Sequence, residues 1–293
     1  MKKLIIFALF ALFSKNSFAS ENNKIVVTIK PLFSLVQSVV GESENVTLLI
    51  DNNISEHNFQ PKPSHVKILN EADIIFFIDK TLETSVYKIL ENLPTHIKKA
   101  QVSQIKGLKK LPIRNVANSD SRNQDDMHIW LDVENAKKIT QYIADELSAI
   151  YPQNKAIYRK NAKKTIEKLD LLHKNLQKMT KSLQNKPFIT FHDSYQYFEQ
   201  NYNLSAITSI RIEASESPSA LRIREIRQKI LEKKVVCVFY EPQFSDKIVK
   251  VITQNLDVKI GVLDPIGADL QNDENLYFNM MNNLADNFAK CLR

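Results

Sequence analysis

Short apolar runs alternate with amphipathic segments along the chain from Lys24 onwards. The apolar runs have the length of strands, whereas the amphipathic segments place apolar residues three and four positions apart, as a helix requires. Alternation of helices with wholly apolar strands is typical of parallel sheets that are covered on both faces. The predicted strands are 25–29, 46–50, 74–78, 188–191, 206–210, 235–240 and 259–263, and the predicted helices are 31–40, 63–71, 82–93, 133–151, 194–202, 218–233, 246–256 and 274–292.

One amphipathic segment is much longer than the others. Over 154–184 the apolar residues recur at helical spacing, and no glycine or proline interrupts them. At 1.5 Å per residue this predicts a helix of about 45 Å, which is longer than a small domain is wide. We therefore expect an α/β protein of two lobes, each a mostly parallel sheet flanked by helices. The predicted lobes are 20–152 and 187–293, joined by one long linker helix over 153–186.

Residues 1–19 have the pattern of a secretory signal peptide. Lys2 and Lys3 precede a short apolar run over 4–13, and small residues at Ser17 and Ala19 provide a cleavage site. The apolar run is roughly half of the 20 residues that a membrane-spanning helix needs. We therefore expect export to the periplasm and removal of this segment.

Charge and composition exclude several classes of function. Removal of 1–19 takes three lysines and lowers the net charge from +7 to +4, and the remaining lysines are scattered rather than interleaved with aromatic residues. This pattern does not favour nucleic-acid binding. The chain has four glycines, and none of them forms a phosphate-binding loop. The hydrolase motifs H-E-x-x-H and G-x-S-x-G are also missing.

The two cysteines are far apart in the sequence. Cys237 lies in a predicted strand, and Cys291 lies at the end of the last predicted helix. In an oxidising compartment the two can form a bridge, which would close a loop of about 55 residues and stabilise the fold by roughly 4 kcal/mol. Their spacing alone also permits two unpaired thiols.

Several residues that can bind a metal lie directly after predicted strands. Ligands of open α/β sheets bind beyond the carboxyl ends of the strands, so these positions are candidates for a site. Three imidazoles and a carboxylate suit a borderline cation such as Zn²⁺. The candidates are His57, His192, Glu241 and Asp264 after strands, and His128 before the apolar segment 129–131.

Four segments of the chain resemble signatures of the metal-binding receptors of ABC importers. Residues 55–64 (S-E-H-N-F-Q-P-K-P-S) match E-H-x-[FY]-x-P-x-P-S, and residues 128–131 (H-I-W-L) match H-[IL]-W-L. Residues 191–198 (F-H-D-S-Y-Q-Y-F) match F-H-D-x-[YF]-x-Y-F, and residues 263–267 (L-D-P-I-G) match L-D-P-[IL]-G. The segments occur in the order of the family, and the resemblance extends from about residue 24 to the end of the chain.

The resemblance implies that His57, His128 and His192 bind the metal. It leaves the fourth position open between Glu56, Asp264 and water. Manganese receptors of this group usually carry glutamate where this chain has His192. A nitrogen ligand at that position favours zinc, because carboxylate-rich sites suit Mn²⁺ better.

Two further features bear on the zinc branch of this family. Cys237 and Cys291 match the paired cysteines of that branch. Many zinc receptors also carry a run of histidines and acids before the second ligand. In this chain the corresponding polar stretch over 111–126, which we expect to be a mobile surface loop, contains no histidine. We therefore do not expect this loop to collect additional metal.

The resemblance implies a receptor without catalytic activity. It would capture Zn²⁺ between the two lobes and deliver the ion, as a monomer, to the membrane permease of an importer with a cytoplasmic ATPase. The sequence leaves three alternative functions open: a manganese or iron receptor of the same family, a secreted zinc hydrolase with Glu56 or Glu241 as base, and a surface adhesin.

Overall fold

The computed structural model describes residues 24–41, 45–51, 54–114, 124–211 and 217–293. The predicted signal peptide over 1–19 lies outside the described residues, and so does most of the predicted loop over 111–126. Within the described ranges, no helix combines the length and the apolar character that a membrane crossing requires.

The first lobe is built on a four-stranded parallel sheet with the order β2-β1-β3-β4. Its strands are β1 Ile25–Val27, β2 Val46–Leu48, β3 Ile74–Phe77 and β4 Lys98–Gln101. The central strands β1 and β3 are wholly buried, as their apolar sequences predict. The edge strand β4 begins with two lysines and contains no apolar run, so the sequence pattern did not predict it.

The second lobe repeats this plan with the strand order β10-β9-β7-β8. The four strands are again parallel, and they are β7 Phe188–Thr190, β8 Ala206–Ser209, β9 Cys237–Tyr240 and β10 Lys259–Val262. A short antiparallel hairpin in the first lobe, β5 Leu111–Pro112 with β6 Asp125–Asp126, was not predicted.

Nine α-helices cover the sheets and connect the lobes in the described part of the chain. They are α1 Lys30–Val40, α2 Pro63–Asn70, α3 Thr84–Leu90, α4 Val133–Ile150, α5 Lys155–Thr180, α6 Gln196–Tyr202, α7 Ala220–Glu232, α8 Lys247–Thr253 and α9 Leu276–Leu292. Helix α3 is shorter than the predicted segment 82–93 because Glu83 precedes it and accepts two backbone N–H groups at the end of β3.

The long helix α5 joins the two lobes, which confirms the predicted architecture. Its 26 residues span about 39 Å, and a 3-10 turn over Lys181–Leu183 extends it. It packs against α1 and α4 of the first lobe and against α9. One continuous hydrophobic cluster contains core residues of both lobes. The lobe boundaries at 152 and 187 stay predictions.

Polar contacts also tie the two lobes together. The indole N–H of Trp130 donates to the carbonyl oxygen of Pro265 at 2.8 Å, and the hydroxyl of Tyr277 donates to the carbonyl oxygen of Trp130 at 2.7 Å. The buried ammonium of Lys30 donates to the carbonyl oxygen of Ala268 at 2.6 Å. These contacts and the shared core oppose a wide hinge motion.

A disulfide joins Cys237 on β9 to Cys291 on α9. Their Cα atoms are 5.9 Å apart, and 54 positions separate them in the sequence. The predicted pairing is therefore confirmed, and the bridge fixes the last helix to the sheet of the second lobe.

Candidate metal centre

Three histidines from three different elements converge at the crevice between the lobes. His57 lies in a 3-10 turn over Glu56–Asn58 after β2, His128 immediately precedes a second turn over Ile129–Leu131, and His192 follows β7. The Nε2 atom of His128 is 3.2 Å from Nε2 of His57 and 3.3 Å from Nε2 of His192. One nitrogen from each ring lies within 4.8 Å of the other two.

The spacing of these nitrogen atoms fits a tetrahedral zinc ion. A Zn–N bond of about 2.0–2.1 Å places neighbouring ligand atoms of a tetrahedron about 3.3–3.4 Å apart. The two shorter Nε2–Nε2 distances, 3.2 and 3.3 Å, are close to that edge length. A single small cation can therefore contact the rings without a large rearrangement.

Two carboxylates fix which ring nitrogen faces the centre. Asp126 Oδ1 lies 2.6 Å from Nδ1 of His128, and the carboxylate oxygens of Glu241 lie 2.7 and 2.8 Å from Nδ1 of His192. A carboxylate accepts a hydrogen bond from Nδ1–H, so the lone pair of the neutral ring is on Nε2. The Nε2 atoms of the two neutral rings are then 3.3 Å apart, an arrangement that a cation bound to both would stabilise.

Glu56 places a carboxylate oxygen beside the same centre. Its Oε1 atom is 3.7 Å from Nε2 of His57 and 3.6 Å from Nε2 of His128. Glu56 is only 5% exposed, and Oε1 has no hydrogen-bond partner among the described residues. A buried carboxylate oxygen without a donor is costly, and a metal ion would remove that cost.

The carboxylate of Asp264 accepts hydrogen bonds from the turn that follows β10. Its Oδ1 atom accepts the backbone N–H groups of Ile266 and Gly267 at 3.1 and 3.0 Å, and its Oδ2 atom accepts that of Ala268 at 2.6 Å. The side-chain amide of Gln243 also donates to Oδ1 at 2.8 Å. The structure therefore uses this carboxylate to shape the turn after β10.

Burial and charge shift the pKa values of the clustered groups in different directions. Burial lowers the pKa of His57 to about 4, although the Glu56 charge opposes this. Burial also disfavours the charged form of His192, but the Glu241 carboxylate outweighs it and raises the pKa of His192. For Glu56, burial favours the protonated form, yet the charges of His57 and His128 lower its pKa below the usual value. Glu56 is thus ionised at neutral pH.

One residue that supports this site, Asp126, was not predicted from the sequence. Asp126 stands in a polar stretch and has no motif of its own, although its position two residues before His128 is a usable signal. Glu241 was noted only because it follows a strand, and its bond to His192 could not be read from the sequence.

Comparison with known proteins places this chain in a family. The model of the ZnuA family, described as zinc-uptake complex component A, periplasmic, matches residues 25–291. A high-affinity zinc uptake system protein ZnuA from Brucella abortus is 33% identical, and the match covers 97% of this chain and 96% of that protein.

Solved structures agree with this result. A ZnuA deletion mutant crystallised with zinc bound is 27% identical with a TM-score of 0.79, and the match covers 91% of this chain and 96% of that one. The periplasmic zinc binding protein TroA from Treponema pallidum, at 20% identity, has the same fold with a TM-score of 0.82, over 92% of this chain and 98% of that one. The chain therefore belongs to the ZnuA family of zinc-uptake components.

Proposed function

We propose that this protein captures Zn²⁺ in the crevice between its lobes and delivers it to the permease of an ABC importer. His57, His128 and His192 bind the ion, and Glu56 completes a tetrahedral shell. One observation supports this assignment most directly: the Nε2 atoms of His128 and His192, whose Nδ1 atoms each contact a carboxylate, are 3.3 Å apart, which is the edge length of a zinc tetrahedron.

The donor set supports zinc over manganese as the cargo. Three imidazole nitrogens and one carboxylate oxygen suit a borderline cation, whereas Mn²⁺ prefers sites rich in oxygen. The zinc-bound relative and the family description agree with this preference. Asp264 is not a ligand in this proposal, because its oxygens are already occupied by backbone N–H groups.

The same geometry supports transport rather than hydrolysis. A hydrolytic zinc site keeps one position open for a water molecule that the metal activates. In the proposed shell Glu56 takes that position. Glu241 accepts a hydrogen bond from His192 and another from the hydroxyl of Tyr195 at 3.0 Å, so it does not face a substrate. Neither carboxylate is then available as the base of a hydrolase.

Small movements are sufficient for capture and release in this proposal. The continuous core and the long helix α5 hold the lobes at a fixed separation. The side chain of His57 is 20% exposed, whereas those of His128 and His192 are 7% and 5% exposed. The ion therefore enters and leaves past His57.

The location and the partners follow from the family. We propose that the mature chain acts in the periplasm as a monomer, with a membrane permease and its ATPase as partners. Family membership in a periplasmic zinc-uptake complex supports this proposal.

Competitive metal titration tests the function. Metal-stripped full-length protein is titrated with Zn²⁺ and Mn²⁺ against a chromophoric chelator, beside the variants His192→Glu and His96→Ala. We expect one tightly bound Zn²⁺ per chain, weaker zinc binding with a shift toward Mn²⁺ for His192→Glu, and no change for His96→Ala, since His96 is exposed.

Two outcomes would contradict parts of the proposal. Equal or tighter binding of Mn²⁺ by the unmodified protein would overturn zinc as the cargo. Absence of a stoichiometric metal would overturn the receptor function altogether.

A further inference from the structure

The β5–β6 hairpin of the first lobe lies against helix α6 of the second lobe. The hydroxyl of Tyr197 accepts the backbone N–H of Leu111 at 3.0 Å and donates to the carbonyl oxygen of Asp126 at 2.6 Å. The side-chain amide of Gln196 donates to the carbonyl oxygen of Pro112 at 3.1 Å and to Oδ2 of Asp126 at 2.7 Å. Two adjacent residues of α6 thus hold both strands of the hairpin.

Arg114, two residues after β5, makes a further contact between the lobes. The guanidinium of Arg114 lies between two carboxylates of the second lobe, with Nε 3.1 Å from Oδ1 of Asp193 and Nη1 2.8 Å from Oε2 of Glu199. Both acids are nearly buried, with side chains 8% and 2% exposed. A planar guanidinium can engage both carboxylates at once, which the single ammonium of a lysine does not reproduce.

These contacts connect the support of one proposed ligand, His128, to the chain neighbour of another, His192. Asp126, which Gln196 and Tyr197 hold, is the carboxylate that orients His128. Asp193, which Arg114 holds, is the residue next to His192 in the chain. The chain of contacts therefore runs from His128 to His192 across the crevice without passing through the metal position.

We propose that Arg114, Gln196 and Tyr197 form an interlobe clamp that holds His128 against His192 before the metal binds. They are positioning residues that act through Asp126 and Asp193, and they do not contact the ion. This inference rests on the proposed zinc function and adds residues that determine how tightly and how long the ion is held.

Electrostatics gives the reason why such a clamp is needed. Without a cation and with both rings neutral, the two Nε2 lone pairs, on atoms 3.3 Å apart, repel each other, and the repulsion favours separation of the rings. Contacts made elsewhere can hold the rings together, so that less reorganisation is needed when zinc binds. Loss of the clamp should therefore weaken binding and speed release.

The charge of Arg114 makes the test decisive. A positive charge near a cation site opposes cation binding, so its removal by Arg114→Gln should tighten zinc binding if charge alone matters. If the clamp positions the ligands, the same variant should bind zinc more weakly. Arg114→Lys keeps the charge but loses the two-carboxylate contact, and Gln196→Leu loses the bond to Asp126 without a change of charge.

The experiment measures zinc affinity by chelator competition and zinc release by rapid mixing with excess chelator. The absorption spectrum of the Co²⁺-loaded protein reports the geometry of the ligands. We expect about tenfold weaker zinc binding for Arg114→Gln, Arg114→Lys and Gln196→Leu, together with faster release and an altered Co²⁺ spectrum, because supports of metal-binding histidines typically contribute about 10–100-fold. Arg159→Gln, at an exposed position on α5, is the matched control and should behave as wild type.

The outcomes separate this inference from the function on which it rests. The clamp would be overturned if Arg114→Gln and Arg114→Lys bound zinc as tightly as wild type or more tightly, and if Gln196→Leu bound it equally well. Zinc binding by the wild type would still support the receptor function in that case. Failure of the wild type to bind zinc would overturn the receptor function itself. Circular dichroism checks the fold, and if Arg114→Gln does not fold, the conservative variants Arg114→Lys and Tyr197→Phe decide the question by the same criteria.

Discussion

The two halves of the proposed metal centre are built differently. On one side His128 and His192 are buried, and each has its Nδ1 atom bound to a carboxylate, Asp126 or Glu241. On the other side His57 is partly exposed, and no hydrogen bond to its Nδ1 is found within the described residues. Its ring is instead close to Glu56, the preceding residue in the same short turn.

This difference separates two proposed ligands with a fixed orientation, His128 and His192, from two that can adjust their position, His57 and Glu56. The first two are called the fixed pair. The fixed pair is oriented before the ion arrives, because carboxylates set both the tautomer and the ring orientation. The turn that carries His57 and Glu56 can move with the ion at a lower cost. A receptor needs both properties, since it must bind tightly and also release the ion to the permease.

Removal of a ligand from either half should produce the largest effect. His192→Ala and His128→Ala should weaken zinc binding by at least about 100-fold, more than the loss of a supporting carboxylate. His57→Ala should weaken it less, because the fixed pair still offers two oriented nitrogens. Competition titration of the three variants checks this order. A larger loss for His57→Ala than for His192→Ala would contradict the division into two halves.

Loss of the supporting carboxylates should come next. Asp126→Asn and Glu241→Gln keep the size of the side chain but remove the charge that fixes the Nδ1 proton, and each should weaken zinc binding by about 10–100-fold. Asp264→Asn provides a carboxylate control outside the cluster. Nitrogen NMR of the ring signals should show a mixture of tautomers in the variants. Unchanged affinity together with a single tautomer would show that these carboxylates are dispensable.

Substitution of the proposed fourth ligand should have a smaller effect on zinc affinity. The effect distinguishes Glu56 from Asp264 as the source of the fourth ligand. Glu56→Gln should weaken zinc binding by about tenfold, because it removes the negative charge but keeps a side-chain oxygen beside the ion. Asp264→Asn should leave zinc affinity close to wild type and reduce stability by about 1–3 kcal/mol, through the loss of acceptors for backbone N–H groups. Titration and urea unfolding measure the two quantities. The reverse pattern would make Asp264 the ligand.

Acidification should weaken zinc binding through His192 before it affects His57. The Glu241 carboxylate outweighs burial and raises the pKa of His192 above 6.5, so in the metal-free protein this ring takes up a proton as the pH falls through that raised value. Burial lowers the pKa of His57 to about 4, so His57 stays neutral through this range. Each proton that must be displaced costs up to about tenfold in affinity per pH unit.

The same shifts set the sign of the pH dependence of stability. For the metal-free protein, the contribution of His192 is fully present below pH 6.5 and is lost as the pH rises through its raised folded value. The contribution of His57 is present above pH 6.5 and is lost as the pH falls toward about 4. Titration of the ring signals by NMR, with Glu241→Gln as the comparison, checks both directions. Protonation of His57 before His192 would contradict this order.

Removal of the disulfide should have the smallest effect on zinc affinity. Replacement of Cys237 and Cys291 by serine should lower the free energy of unfolding by about 4 kcal/mol, since a loop of about 55 residues is no longer closed. Zinc affinity should not change, because the bridge joins β9 to α9 and no proposed ligand lies on either element. Chemical unfolding and titration of the metal-stripped double variant test this expectation.

The sequence predicted those parts of the molecule that depend on short, local patterns. Apolar strands such as β3 and the uninterrupted spacing of α5 were found because each is encoded in consecutive residues. The proposed ligands were identified because they stand in recognisable motifs. The lysine-rich edge strand β4 was missed, since two of its four residues are lysines, which are common on edge strands, and it contains no apolar run.

The supports of the site could not be predicted in the same way. The bonds of Glu241 to His192 and of Arg114 to Glu199 join residues that are 49 and 85 positions apart. A single sequence contains no signal for such contacts until the fold brings the residues together. The choice between Glu56 and Asp264 is of the same kind, because it depends on which carboxylate the backbone already occupies.

X-ray absorption at the zinc edge is the most direct test of the proposed centre. Metal-stripped protein is loaded with one equivalent of Zn²⁺ and measured beside the variant Glu56→Gln. We expect four nitrogen or oxygen neighbours at about 2.0–2.1 Å, with the scattering pattern of three imidazole rings, and a change in the oxygen contribution for Glu56→Gln. A sulfur neighbour at about 2.3 Å, a six-oxygen shell or fewer than three imidazoles would contradict it.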